Sequence, residues 1–82
     1  MPCVVLTQDL ADRFSGGETK LFVDAANFRA LLRLLNEQFP GLGTEIDRSQ
    51  GVAIDGEFYQ DPHAQLLSEN AEVFILPKIA GG

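Results

Sequence analysis

The amino-acid sequence predicts an α+β fold, in which a mixed sheet of four to five strands carries one main helix on one face. Three observations predict it. An apolar stripe at helical spacing occupies the middle of the chain, an Asp-Gly dipeptide separates two short apolar runs, and short alternating segments lie before and after the stripe. At 82 residues the chain has room for one hydrophobic core.

The helix is predicted over residues 28–39. Asn27 is suited to cap its first turn, because the side-chain oxygen can accept from free backbone N–H groups. Pro40 and Gly41 end it. Its apolar side chains recur at i, i+3, i+4, i+7 and i+11 and so form one stripe, composed of Phe28, Leu31, Leu32, Leu35 and Phe39.

Five short segments are predicted as strands, over residues 3–7, 19–24, 52–54, 57–59 and 72–76. A loop that carries Leu10 and Phe14 separates the first two, and a linker with Leu42 and Ile46 follows the helix. Asp-Gly between the third and fourth segments is typical of a two-residue hairpin turn. The predicted element order is therefore strand, strand, helix, strand, strand, strand.

One helix covers only one face of such a sheet, so the other face must meet water or a partner. Successive side chains of a strand point to opposite faces. The alternation directs four side chains toward the helix, namely Leu21, Val23, Val73 and Ile75. It places four others on the open face, namely Phe22, Phe58, Phe74 and Leu76. A contiguous apolar patch of this kind marks a protein–protein surface, and a register shift of one residue would reverse the assignment.

Composition excludes several classes of function. The net charge is −6 with six basic residues, whereas nucleic-acid binding needs clustered Lys and Arg. The single cysteine, Cys3, excludes an internal disulfide and a cysteine-ligated cluster, and we expect it to be a buried, inert thiol. The only histidine, His63, is expected in a solvated turn without a second ligand. We therefore expect no metal site and no bound cofactor.

No apolar stretch approaches the roughly 18 to 20 residues of a membrane span. The first residues lack the basic start and long apolar core of a signal peptide. We therefore expect a cytoplasmic protein with no membrane partner.

The sequence ends in Gly81-Gly82. We expect a folded domain over residues 1–76 and a flexible tail over residues 77–82. Glycine has no Cβ, so a tip of two glycines can enter a narrow active site of another protein. This arrangement makes chemistry on the terminal carboxylate possible.

Together these features resemble the ubiquitin-like sulfur carriers, the MoaD and ThiS family, over essentially the whole chain. The resemblance rests on three segments: the helix end Gln38-Phe39-Pro40-Gly41-Leu42, the hairpin Val52-Ala53-Ile54-Asp55-Gly56, and residues 72–82. The last is the most specific. The resemblance implies the β-grasp (ubiquitin-like) fold, in agreement with the predicted order of elements.

The resemblance also implies a protein cosubstrate rather than an enzyme. In this family a partner enzyme of the ubiquitin-activating type uses ATP to adenylate the terminal glycine carboxylate, and a sulfur donor converts the acyl-adenylate to a thiocarboxylate. Here the reacting group would be the carboxylate of Gly82, with Gly81 giving a slim approach. The family's docking patch maps onto Phe58 and Leu76. The further partner-binding residues that we predict are Phe22, Phe74, Pro77, Lys78, Ile79 and Ala80.

Several pathways are compatible with this chemistry. The first hypothesis is the small subunit of a molybdopterin synthase, whose tail enters a large catalytic subunit in molybdenum cofactor biosynthesis. Carriers for thiazole (thiamine) or cysteine synthesis share the same ending. A protein modifier that forms isopeptide bonds through Gly82 would use the same activation. The last alternative is an interaction module in which the glycine pair is incidental.

Overall fold

The computed structural model describes residues 1–77, which form a five-stranded mixed sheet with helices packed against it. The α+β class is as predicted. The elements are β1 (Cys3–Val5), α1 (Gln8–Phe14), β2 (Lys20–Phe22), α2 (Phe28–Gln38), α3 (Leu42–Ser49), β3 (Gln50–Ile54), β4 (Glu57–Tyr59) and β5 (Glu72–Pro77).

The strand order in the sheet is β2-β1-β5-β3-β4. β5 pairs in parallel with β1 and antiparallel with β3, while β2 and β4 form the two edges through antiparallel pairs. The first strand and the last described strand therefore lie side by side at the centre of the sheet.

The core lies between the sheet and the helices. The four strand side chains predicted to face inward are at most 7% exposed, which confirms the predicted alternation. Three side chains of the α2 stripe are at most 1% exposed, namely Phe28, Leu31 and Leu35. Asn27 caps α2 as predicted, because its Oδ1 accepts from Ala30 N at 2.8 Å.

The hairpin between β3 and β4 also follows the prediction. Asp55 and Gly56 form its turn with positive φ angles of 51° and 84°, which is what a two-residue turn of this kind requires. Ala53 pairs with Phe58 and Ile54 with Glu57. The register is therefore the one that places Phe58 on the open face.

The segment between β1 and β2 was predicted to be a loop, and this prediction is wrong because the segment contains the helix α1. Thr7 caps it, its hydroxyl accepting from Leu10 N at 3.2 Å. Leu10 and Ala11 enter the core, and Phe14 packs against it. Two turns are too short to show a helical period clearly, so this helix depends on its cap and on tertiary packing.

The predicted linker after α2 is likewise a helix, α3. Leu42 and Ile46, one turn apart, are both within 1% of complete burial. Gly41, with φ 93°, turns the chain back. A Cβ on Gly43 would overlap the carbonyl oxygen of Leu32, so the close packing of α3 on α2 requires glycine.

The boundaries of the strands differ from prediction by a few residues. β1 and β2 are shorter than expected, because residues 6, 7, 19, 23 and 24 lie outside the paired region. β3 begins at Gln50, and β5 extends through Pro77. Within residues 1–77, no helix combines the length and apolar character needed to cross a membrane.

Candidate functional site

The open face of the sheet, which is the face turned away from the helices, carries the four apolar side chains expected there. Phe22 is 64% exposed, Phe58 58%, Phe74 38% and Leu76 37%. Their exposure confirms the predicted facing. Their role in binding a partner stays a prediction.

Three of these side chains lie on adjoining strands. Phe74 of β5 pairs with Ala53, and Ala53 pairs in turn with Phe58 of β4. Leu76 lies two residues beyond Phe74 and pairs with Gly51. This half of the open face is therefore a continuous apolar surface over β5, β3 and β4.

A groove of about 810 Å³ opens on this surface. We call it the β3–β4 groove, and its lining is Gln50, Gly51, Phe58, Tyr59, Gln60, Leu76 and Pro77. Neutral polar groups and apolar side chains make up that lining. The groove ends beside Pro77, the last described residue of the chain. It is suited to receive apolar side chains of another protein.

Gly51 determines the shape of the groove. A Cβ built on it would lie 3.0 and 3.1 Å from two atoms of the Phe58 ring, so the ring occupies the space that a side chain would need. The sequence analysis missed this residue. A glycine inside a strand often marks a close approach of another group, but the predicted strand begins at residue 52 and so leaves Gly51 outside it, whereas β3 begins at Gln50.

Phe22 is the exception to the predicted contiguous patch. It belongs to the edge strand β2, and β1 separates it from β5, a distance of about 10 Å at the usual strand spacing. Half-buried Cys3 and Val5 lie between. Phe22 borders a second, shallower hollow together with Leu34 of α2. The apolar surface is thus split into two parts.

Cys3 is only partly buried, whereas the sequence analysis expected a buried thiol.

His63 lies in a turn, as expected, and its side chain is 34% exposed, but its ring is held between two carboxylates. Its Nδ1 is 2.7 Å from Asp61 Oδ1, and its Nε2 is 2.5 Å from Asp47 Oδ1 of α3. Hydrogen bonds raise the pKa of His63, and the one with Asp61 has a larger effect than the one with Asp47. The two ring nitrogens point in opposite directions, so they cannot bind one metal ion. The arrangement ties the loop after β4 to α3.

The remaining predicted site residues are Lys78, Ile79, Ala80, Gly81 and Gly82, and they lie outside the described residues. Pro77, which precedes them, ends β5 opposite Gln50. Any segment that continues from Pro77 therefore starts at the rim of the β3–β4 groove. Across residues 1–77, no group of three or more His, Cys, Asp or Glu side chains is placed to hold a metal ion.

Solved structures share this architecture. CysO of Mycobacterium tuberculosis, described as an antigen, superposes with a TM-score of 0.84 at 16% identity, over 96% of this chain and 100% of that one. A chain of the Amycolatopsis orientalis BexX/CysO complex gives 0.84 at 18% identity, over the whole of both chains. Small archaeal modifier protein 1 (SAMP1) of Methanosarcina acetivorans gives 0.77 at 21% identity, over 99% and 95%.

These similarities show the fold. The protein has the β-grasp, ubiquitin-like fold that the sequence predicted. Comparison with protein-family models and with curated proteins finds no match.

Proposed function

We propose that this protein is a ubiquitin-like sulfur carrier, whose Gly82 carboxylate is adenylated and then converted to a thiocarboxylate. The observation that carries the proposal is the combination of a β-grasp fold shared with CysO and SAMP1 with a sequence that ends in Gly81-Gly82. The body of the protein would act as a docking module, and the tail would carry the reacting group.

The chemistry follows from the properties of a carboxylate. With a pKa of roughly 3.3 to 3.7 the α-carboxyl group is ionised at neutral pH and is a poor electrophile. Attack of its oxygen on the α-phosphorus of ATP releases pyrophosphate and forms an acyl-adenylate. A sulfur nucleophile then attacks the acyl carbon and AMP leaves, so one difficult step becomes two easier ones. Both steps take place in partner enzymes, and the carrier itself is not a catalyst.

The open face is the surface that would dock on the activating enzyme. Phe58, Leu76 and the β3–β4 groove offer exposed apolar area, which marks interaction sites on small proteins. From Pro77 to Gly82 the chain adds five residues, which span at most about 17 Å when extended. A partner that grips the groove is therefore within reach of the terminal carboxylate.

For the pathway, we propose the small subunit of a molybdopterin synthase, with residues 78–82 entering the large catalytic subunit. A carrier for cysteine synthesis fits comparably, since two of the similar structures contain CysO, and a carrier for thiazole synthesis uses the same chemistry. The use of ATP is consistent with a cytoplasmic location. Co-purification with a large synthase subunit would favour the molybdopterin role, and repeated failure to bind one would count against it.

A protein modifier is the second candidate. The likeness to SAMP1, which is named a modifier protein, favours it, and the activation step would be the same. Isopeptide conjugates of higher mass that disappear on deletion of Gly82 would support this role.

The proposed activation can be tested by ATP–pyrophosphate exchange. An adenylating enzyme of the ubiquitin-activating type, already shown to be active on another carrier, is supplied with the full-length protein or with the Gly82 deletion. We expect exchange only with the full-length protein. Equal exchange with both proteins, or none with either, would contradict the proposal. An interaction module with incidental glycines predicts no dependence on Gly82.

A further inference from the structure

The charges of the described residues are distributed unevenly around the sheet. Three of the four arginines in the helices pair with neighbouring acids: Arg13 with Asp9 and Glu45, Arg33 with Glu37, and Arg48 with Glu45. The fourth, Arg29, is exposed and forms no ion pair within residues 1–77. Seven carboxylates form no ion pair with any residue in the range 1–77, and four of these are grouped in the fold, namely Asp24, Asp55, Glu69 and Glu72. All four residues are exposed.

These four carboxylates lie toward one end of the sheet, which we call the acidic end, and two of them, Asp24 and Glu69, border one shallow hollow there. Glu72 opens β5, Asp55 directly follows β3, and Asp24 follows β2 shortly after its last residue. Because β5 runs antiparallel to β3 and parallel to β1, the start of β5 and the end of β3 coincide. Asp55 Oδ1 accepts from Glu72 N at 2.9 Å, which fixes the two acids beside each other.

At the opposite end of β5, the described residues that line the open face are neutral. The β3–β4 groove lies there, and its lining contains no charged residue. Glu72 and Leu76 are four residues apart in one strand, or about 13 Å at the usual rise. This separation exceeds the Debye length of about 8 Å at physiological salt, so a partner meets the two ends as separate features. The basic residue Lys20 pairs with Val5 and belongs to β2, which is the edge strand opposite to the edge that carries the groove.

We propose that the acidic end orients this carrier on its activating enzyme by facing a cluster of Lys or Arg side chains on that enzyme. The inference rests on the proposed function. Apolar contacts in the β3–β4 groove would hold the complex, whereas charges at the rim of an interface mainly govern the association rate and the choice of partner. Contacts at both ends of β5 fix the direction of the strand, and with it the direction in which the chain leaves Pro77.

The observed charges favour such a partner over a second copy of the chain. The net charge is −6, so two copies repel each other. An acidic partner is disfavoured for the same reason. A partner that is apolar opposite the groove and basic opposite Asp55 and Glu72 is complementary at both ends.

The test compares two double variants that each remove two negative charges. Asp55→Asn with Glu72→Gln neutralises the acidic end. Asparagine keeps an oxygen that can accept from Glu72 N, and it tolerates the positive φ of this position. The matched control, Asp12→Asn with Glu37→Gln, lies on exposed positions of α1 and α2, and the exposed pair that it breaks contributes little to stability.

The measurement is kcat/KM for adenylation of each protein at low and at physiological salt. For the acidic-end variant we expect a loss of about 3- to 10-fold at low salt, with a weaker salt dependence than the unaltered protein shows. The control variant should match the unaltered protein. If the acidic-end variant matches the unaltered protein, or if both variants lose the same amount of activity, the orientation proposal is overturned and the proposed function still stands. Failure of the unaltered protein to be adenylated would overturn the proposed function itself.

Discussion

The aromatic ring of Phe58 lies over Gly51 of the neighbouring strand, with Cε2 3.0 Å and Cζ 3.1 Å from the position that a Cβ on Gly51 would occupy. Real Cβ atoms rarely have neighbours at these distances, so the position of the ring depends on the absence of a side chain. The ring in turn forms one wall of the β3–β4 groove. A single glycine in β3 therefore shapes the surface proposed to dock on the activating enzyme.

Gly51→Ala should weaken docking without unfolding the protein. The added methyl group displaces the Phe58 ring, which can move because it is 58% exposed. We expect the free energy of binding to the activating enzyme to become less favourable by about 1 kcal/mol, which is a small loss among those found when interface residues are changed. Titration gives the dissociation constant, and urea unfolding checks the fold. Unchanged affinity would show that the ring position is not used in binding.

Phe58→Asp should have a larger effect at the same surface. A charged side chain replaces an exposed apolar one at the centre of the proposed contact, and we expect a loss of about 2 kcal/mol or more in binding free energy. Leu66→Asp is the matched control, because Leu66 is 80% exposed and lies outside the strands of the sheet. It should bind normally. Loss of folding in Phe58→Asp would instead identify Phe58 as a residue needed by the core.

Deletion of Gly82 should abolish sulfur transfer and leave the fold intact. The reacting carboxylate is displaced by one residue, whereas the core is built from residues within the range 1–77. Circular dichroism and the unfolding midpoint should match those of the full-length protein, while formation of the acyl-adenylate falls to background. Retained transfer would contradict the assignment of the reacting group.

Leu35→Ala should destabilise the fold by about 2 to 5 kcal/mol through the cavity that it leaves. Leu35 is 0% exposed in the core beneath α2. Leu34, its neighbour in the same helix, is only partly buried, so Leu34→Ala is a control with the same change in residue type. The difference in unfolding free energy between the two variants measures burial directly. Equal losses would contradict the assigned face of α2.

The contribution of His63 should depend on pH. Hydrogen bonds to Asp61 and Asp47 raise its pKa in the folded state, so the folded protein binds the proton more tightly than the unfolded chain does. The stabilisation is therefore full below the unfolded pKa of about 6.5 and is lost as pH rises through the raised value. We expect the difference in unfolding free energy between the unaltered protein and His63→Gln to shrink over this range. A constant difference would contradict the pairing.

Local patterns were sufficient to predict part of this fold. The stripe from Phe28 to Leu35, the cap at Asn27 and the turn at Asp55 all depend on residues close in sequence, and each is present as predicted. The facing of β5 was predictable because successive side chains of a strand point to opposite faces, and Val73 and Ile75 are buried as expected.

The two missed helices depend on contacts between distant residues. Thr44 N of α3 is bound by Asn36 Oδ1 of α2 at 3.1 Å, and Gly43 is needed where α3 crosses Leu32. Neither contact is visible in a short window of sequence. With only Leu42 and Ile46 as apolar positions in the core, α3 has too few to show a helical period.

The candidate surface was only partly predictable for the same reason. The facing of Phe58, Phe74 and Leu76 follows from alternation within each strand, but their grouping depends on the order of strands in the sheet. That order separates Phe22 from the others and brings Asp55 beside Glu72. Strand order is a property of the whole fold, and so the split of the patch and the acidic end became evident only in three dimensions.

The intact mass of the protein tests the sulfur-carrier proposal most directly. The full-length chain is incubated with ATP, a sulfur source and an activating enzyme already shown to be competent on another carrier. We predict a mass gain equal to the replacement of one oxygen by sulfur, located at Gly82 by fragmentation. An unchanged mass under these conditions would contradict the proposal.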